Sequence, residues 1–155
     1  MRIIIDKMIL PCVFESDNRR HDDFKPILKC IVQCKGVMVF GGDQFVNKEY
    51  GDYKDFLIKY RSLIVELYRN GRVDILNKDT VNKLVDELKK IEPNKDFDDP
   101  HIIACVIIGK CQIVCTDDKR AEKNIKDIRF YKVSTQRPSI YKNKKNHLKL
   151  LRDCF

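Results

Sequence analysis

Long hydrophobic runs are missing from this chain. No segment approaches the roughly 20 apolar residues that a membrane helix needs, which excludes a spanning helix. The opening stretch MRIIIDKMILPCVF is interrupted by Asp6 and Lys7 and lacks a small-residue cleavage site, so no secretory signal is expected. Internal repeats are also absent, which argues against a repeat architecture. Acids are in the minority: 23 against 31 basic residues, a formal net charge of +8. That surplus favours polyanionic partners such as nucleic acid or an anionic membrane surface. The seven cysteines are an odd number, and without a secretory signal they read as reduced thiols in a reducing, cytoplasmic compartment. Cys30 with Cys34, and Cys111 with Cys115, are spaced four apart, but both pairs sit in apolar patterns without placed zinc partners. Buried free cysteine behaves as a small hydrophobe.

What is present is a folded domain. The 155 residues are 43% hydrophobic and 35% charged, enough for one core and not comfortably two. Arg2 to Ile5 reads as a buried strand ending at Asp6. Phe24, Ile27, Leu28 and Ile31 repeat at helical spacing, and Gly36 closes that helix. Val37 to Phe40 reads as a strand, broken by Gly41-Gly42. Phe56, Tyr60, Leu63, Ile64 and Leu67 mark a long helix stopped at Asn70-Gly71. Val73 to Leu76 is a short strand. Val81, Leu84, Val85, Leu88 and Ile91 mark another helix, started by Asp79 or Thr80 and ended by Pro93.

The segment Ile102 to Ile108 has strand propensity, yet its punctuation predicts a helix. Asp99 can cap it, Pro100 suits the first turn, and Gly109 suits the position past the end. Gln112 to Thr116 is a buried strand, Lys119 to Lys126 a polar helix, and Arg129 to Val133 a last strand. Residues 1–135 form the domain on this reading. Residues 136–155 are a basic tail whose Leu148, Leu150 and Leu151 dock on the body. Strands alternating with helices predict a three-layer α/β/α fold around a central, mostly parallel sheet.

The stretch FDDPHIIACVIIGKCQIVCTDDK sets an Asp doublet at each end of an acid-free apolar piece. In a parallel sheet the functional crevice lies outside the carboxyl ends of the strands. Asp6 follows the first strand, Asp117 and Asp118 follow the Gln112–Thr116 strand, and Asp99 opens the helix leading into that strand. Glu49 lies beyond the second strand, with Asp43 as the alternative acid there. Taken singly, each Asp reads equally well as a cap or turn residue. Together on one rim, the carboxylates would repel and so call for a resident cation. Oxygen donors favour Mg²⁺ or Mn²⁺, which can polarise a phosphodiester and activate water. His101 reads as a partly buried residue near the cap, and His21 and His147 carry no signal alone.

At these residues the chain resembles the PIN-domain nucleases. RIIIDKMIL resembles the family's first strand and first catalytic acid, here Asp6. DPHIIACVIIGKCQIVCTDDK resembles its third acid, buried helix, strand and Thr-x-Asp, here Asp99 and Asp118, with Asp117 beside them. Glu49 matches the acid after the second strand. The form DDPHIIA and the later IYKNKKNHLKLL resemble a subgroup of small stand-alone members, through Ile140, Tyr141, His147, Leu150 and Leu151. The resemblance implies Mg²⁺- or Mn²⁺-dependent RNA hydrolysis. Asp6, Glu49, Asp99 and Asp118 would be catalytic, and Asp117 would join them at the metal. It also implies toxin–antitoxin pairing, with a protein antitoxin and a possible homodimer. Lys7 and Met8 depart from the family's small polar residue and Asn after the first acid. They motivate a second reading, a non-catalytic RNA- or protein-binding module. A phosphatase or receiver domain fits poorly, because Met8 stands where an Asp-x-Asp phosphatase needs its second acid.

Overall fold

A computed structural model describes residues 1–43, 54–94 and 97–154. Its strands are β1 (Arg2–Ile5), β2 (Val37–Gly41), β3 (Val73–Leu76), β4 (Ile113–Cys115) and β5 (Ser139–Tyr141). Its helices are α1 (Leu10–Phe14), α2 (His21–Gln33), α3 (Lys54–Arg69), α4 (Lys78–Ile91), α5 (Pro100–Gly109), α6 (Lys119–Ile125) and α7 (Lys144–His147). Short 3₁₀ turns occupy Lys7–Ile9, Ile128–Phe130, Ser134–Gln136 and Leu148–Cys154.

The strands form one wholly parallel sheet in the order β3-β2-β1-β4-β5. Ile3, Ile4 and Ile5 of β1 are completely buried, as parallel strands covered on both faces must be. With the right-handed crossovers that parallel strands take, this order puts the helices joining β1 to β2 to β3 on one face, and those joining β3 to β4 to β5 on the other. The expected three-layer α/β/α fold is therefore present. No helix among the described residues is long and apolar enough to cross a membrane.

Local chemistry explains most boundaries. Asn77, rather than Asp79 or Thr80, caps α4: its side-chain oxygen accepts from the Thr80 N–H at 3.0 Å. Gly71 closes α3 at φ +67°, with Arg72 N–H donating to Leu67 O at 2.7 Å and Gly71 N–H to Tyr68 O at 3.0 Å. The same closure ends α5, but the left-handed position is Lys110 at φ 50°, not Gly109. Gly109 serves packing instead. A Cβ there would lie 2.9 Å from Val39 Cγ1, and its carbonyl accepts from Arg2 Nε.

Two expectations at the C-terminal end are corrected. Arg129–Val133 is not a strand. The Asp127 carboxylate caps a 3₁₀ turn there by accepting from Arg129 N–H at 3.0 Å, and Tyr131 turns its hydroxyl to the Ile125 carbonyl at 2.7 Å. The fifth strand lies instead in the basic tail: Ile140 pairs with Val114 and Tyr141 with Cys115. Tyr141 is fully buried, packs on Phe24 and donates to Asp23 O at 2.9 Å. Leu151 is also fully buried, and α7 with the turn after it packs on α2. The tail thus supplies the edge of the sheet.

Nor are all seven cysteines reduced: Cys30 of α2 is disulfide-bonded to Cys154, 124 residues away. Cys105, Cys111 and Cys115 are buried free thiols. Burial pushes all three above the usual thiol range, Cys111 to about 12. They pack as neutral thiols.

A chain truncated after Thr135 is expected to lose cooperative urea unfolding, because β4 becomes an open edge; a merely docked tail would leave a sharp transition. Glu122 of α6 tests the same attachment. Lys126 Nζ at 2.5 Å, together with Lys142 beyond β5, holds its carboxyl below the ordinary value of 4.5. A depressed folded pKa stabilises above the unfolded value and is lost as pH falls through the folded one. The stability gap between wild type and Glu122→Gln, measured by thermal melts, should be full above pH 4.5 and shrink below it.

Candidate functional site

The chain order reverses beside β1: β2 lies on one side and β4 on the other. At such a reversal the connections leave in opposite directions and a crevice opens at the carboxyl ends of the strands. Residues at the starts of α2, α5 and α6 line that rim. The structure has an open cavity of about 580 Å³ there. Asp6, Asp98, Asp99, Asp117 and Asp118 line it. Lys7, Arg19, Arg20 and Arg120 line it too.

Asp6 is the most fixed of the acids, only 8% exposed. Its backbone N–H donates to Cys115 O at 3.0 Å, carrying the β1–β4 pairing one residue past the strand. Its Oδ1 accepts from Met8 N–H at 3.3 Å, and its Oδ2 accepts from the Thr116 hydroxyl at 2.6 Å. Thr116 is fully buried, and its Oγ1 in turn accepts from Asp118 N–H at 3.1 Å. One hydroxyl therefore joins the acid after β1 to the acid after β4. Such linked hydrogen bonds polarise one another in a low-dielectric setting.

Asp118 is also the cap of α6, with Oδ1 accepting from Arg120 N–H at 2.7 Å and Ala121 N–H at 3.3 Å. Asp99 stands at the cap position of α5, but its side chain makes no capping hydrogen bond, contrary to expectation. It faces the cavity. His101, the second residue of α5, is almost completely buried at 1% exposure.

The first Asp of each doublet is held by an arginine. Arg120 Nη1 lies 3.4 Å from Asp98 Oδ2. Arg20 pairs with Asp117, donates to Lys142 O at 3.1 Å and stacks over Phe24 with 5.2 Å to the ring centroid. The Asp117 contact raises the pKa of Arg20 further above its usual value. Cys12 also lines the cavity. Burial raises its thiol above 9.0, with Arg20 opposing, so it stays protonated at neutral pH.

Of the acids expected at the site, Asp6, Asp99, Asp117 and Asp118 share this cavity. Glu49 lies outside the described residues. Its alternative, Asp43, is bound elsewhere: Lys78 Nζ sits 2.9 Å away and the Asn82 amide 3.1 Å, and it does not line the cavity. Lys78 holds its carboxyl below the ordinary range. The rim carboxylates offer oxygen donors, which suit a hard cation. Among the described residues, however, no three His, Cys, Asp or Glu side chains are grouped closely enough to hold an ion as they stand. Sequence reading had no signal for Arg20 or Arg120 as cavity residues, since only the fold brings them to the rim. No protein-family model matches the chain, and neither a curated protein nor a solved structure does.

Thr116→Val keeps the shape of the side chain and removes both of its hydrogen bonds. It leaves the Asp6 carboxylate short of a buried partner, so it should cost about 1–3 kcal/mol in chemical denaturation.

Proposed function

We propose that the chain is a Mg²⁺- or Mn²⁺-dependent endoribonuclease of the PIN type, as its motifs resemble. The observation that carries this reading is the convergence of Asp6, Asp99 and Asp118 with Lys7, Arg20 and Arg120 in one cavity. Asp6, Asp99 and Asp118 would hold the ion, with Glu49 and Asp117 as the further acids of the set. When bound, the ion polarises a phosphodiester and lowers the pKa of water. Arg20 and Arg120 supply planar donors suited to phosphate oxygens, and Lys7 adds a point charge beside Asp6. Thr116 orients the Asp6 carboxylate. A cytoplasmic site of action, an antitoxin partner and a homodimer belong to this reading through the family resemblance alone.

A second reading is a binding module that holds RNA without cutting it. The pairing of Asp98 with Arg120 and of Asp117 with Arg20 favours it, because these acids are already balanced by protein cations.

The purified protein, incubated with single-stranded and hairpin RNA, should cut in Mn²⁺ and not in EDTA. Asp6→Asn and Asp99→Asn should each abolish cleavage and weaken Mn²⁺ binding in calorimetry, with RNA binding little changed. RNA binding with no metal-dependent cutting selects the binding module.

A further inference from the structure

A second cavity of about 240 Å³ adjoins the acidic one, and Arg120 lines both. Three of its wall residues come from α6: Arg120, Lys123 and Asn124 stand at i, i+3 and i+4, one face of the helix. The opposite wall is Arg129. Its guanidinium is held by Asp127, through Nε at 2.9 Å and Nη2 at 2.7 Å, and by Glu92 at 2.8 Å. Two carboxylates on one guanidinium fix its plane, while the side chain remains 54% exposed. Phe97, stacked on Phe130 with ring centroids 5.0 Å apart and planes 6° apart, forms the apolar floor.

Each part has a chemical counterpart in single-stranded nucleic acid. Exposed cations follow the phosphates, and fixed guanidinium planes stack on unpaired bases. Side-chain amides can meet base edges. Against Glu92 and Asp127, which share Arg129, the wall sets Arg129, Arg120 and Lys123, so it keeps a surplus of one positive charge.

We infer that this cavity is a nucleotide subsite. A single-stranded RNA crosses from the acidic cavity over Arg120, its phosphates against Arg120 and Lys123, and one unpaired base sits between Arg129 and Asn124. The inference rests on reading the acidic cavity as a phosphodiester site, and it adds the direction in which the strand leaves it.

The test measures binding of the full chain to a labelled single-stranded RNA decamer by fluorescence anisotropy in EDTA, across a salt series. Lys123→Glu is compared with Lys110→Glu, which makes the same charge change in the turn before β4, at the opposite end of the sheet. Lys123→Glu should weaken binding about tenfold and lower the salt slope by about one, while Lys110→Glu has a much smaller effect. Arg129→Ala should weaken binding of the single strand more than that of a blunt duplex. Equal losses for the two lysine variants, or no binding by the wild type, would overturn the subsite. Lys123-dependent binding without Mn²⁺-dependent cutting keeps the subsite and removes the nuclease reading. Cutting that is indifferent to Lys123→Glu does the reverse.

Discussion

The pairing of β1 with β4 is the contact on which the rest depends. β1 is the central strand, with β2 on its other side, and the chain leaves it in both directions. Ile3, Ile4 and Ile5 stand beside Ile113, Val114 and Cys115, all nearly or fully buried. The ladder continues through Asp6 N–H, and the Thr116 hydroxyl repeats the link between side chains. Asp6 and the TDD stretch are therefore side by side because the two strands are hydrogen-bonded neighbours. The buried helix α5 brings Asp98 and Asp99 to the same rim because a crossover helix runs antiparallel to its strands.

Charge at this rim is arranged rather than merely gathered. Asp98 and Asp117, the first members of the doublets, take arginines. Asp118 meets backbone N–H groups, and Asp6 meets a hydroxyl and an N–H. Exposed ion pairs contribute only about 0.2–1 kcal/mol each, so the arginine pairs do little for stability. Their consequence is placement: Arg20 and Arg120 are held over the cavity with their donors at its wall. α6 then extends that basic wall toward the second cavity.

Most elements were legible because their signals are local. Isoleucine-rich runs, helical spacing of apolar residues and the Pro100 start of α5 each depend on neighbours a few residues apart. Some failures were local and some turned on a distant partner. Arg129–Val133 has strand-like residues, but the nearby Asp127 and Ile125 draw it into a turn. Ser139–Tyr141 is too short to stand out and becomes a strand only against β4. Gly109 looked like the left-handed residue, yet Val39 needs it to lack a side chain, and Lys110 takes the unusual φ. The pairing of Cys30 with Cys154 spans nearly the whole chain and has no local signature.

The residues of the chain alone were enough to determine a parallel α/β fold and to mark Asp6, Asp99 and Asp118 as acids at element ends. Periodicity and capping chemistry are properties of short windows, and those suffice for both. The tertiary structure decided what stands around the acids: Thr116 between Asp6 and Asp118, an arginine on the first Asp of each doublet, and a basic helix face leading away. The Asp6–Thr116 and Arg20–Asp117 contacts join residues 110 and 97 positions apart. Only the strand order and crossover direction bring them within hydrogen-bonding distance.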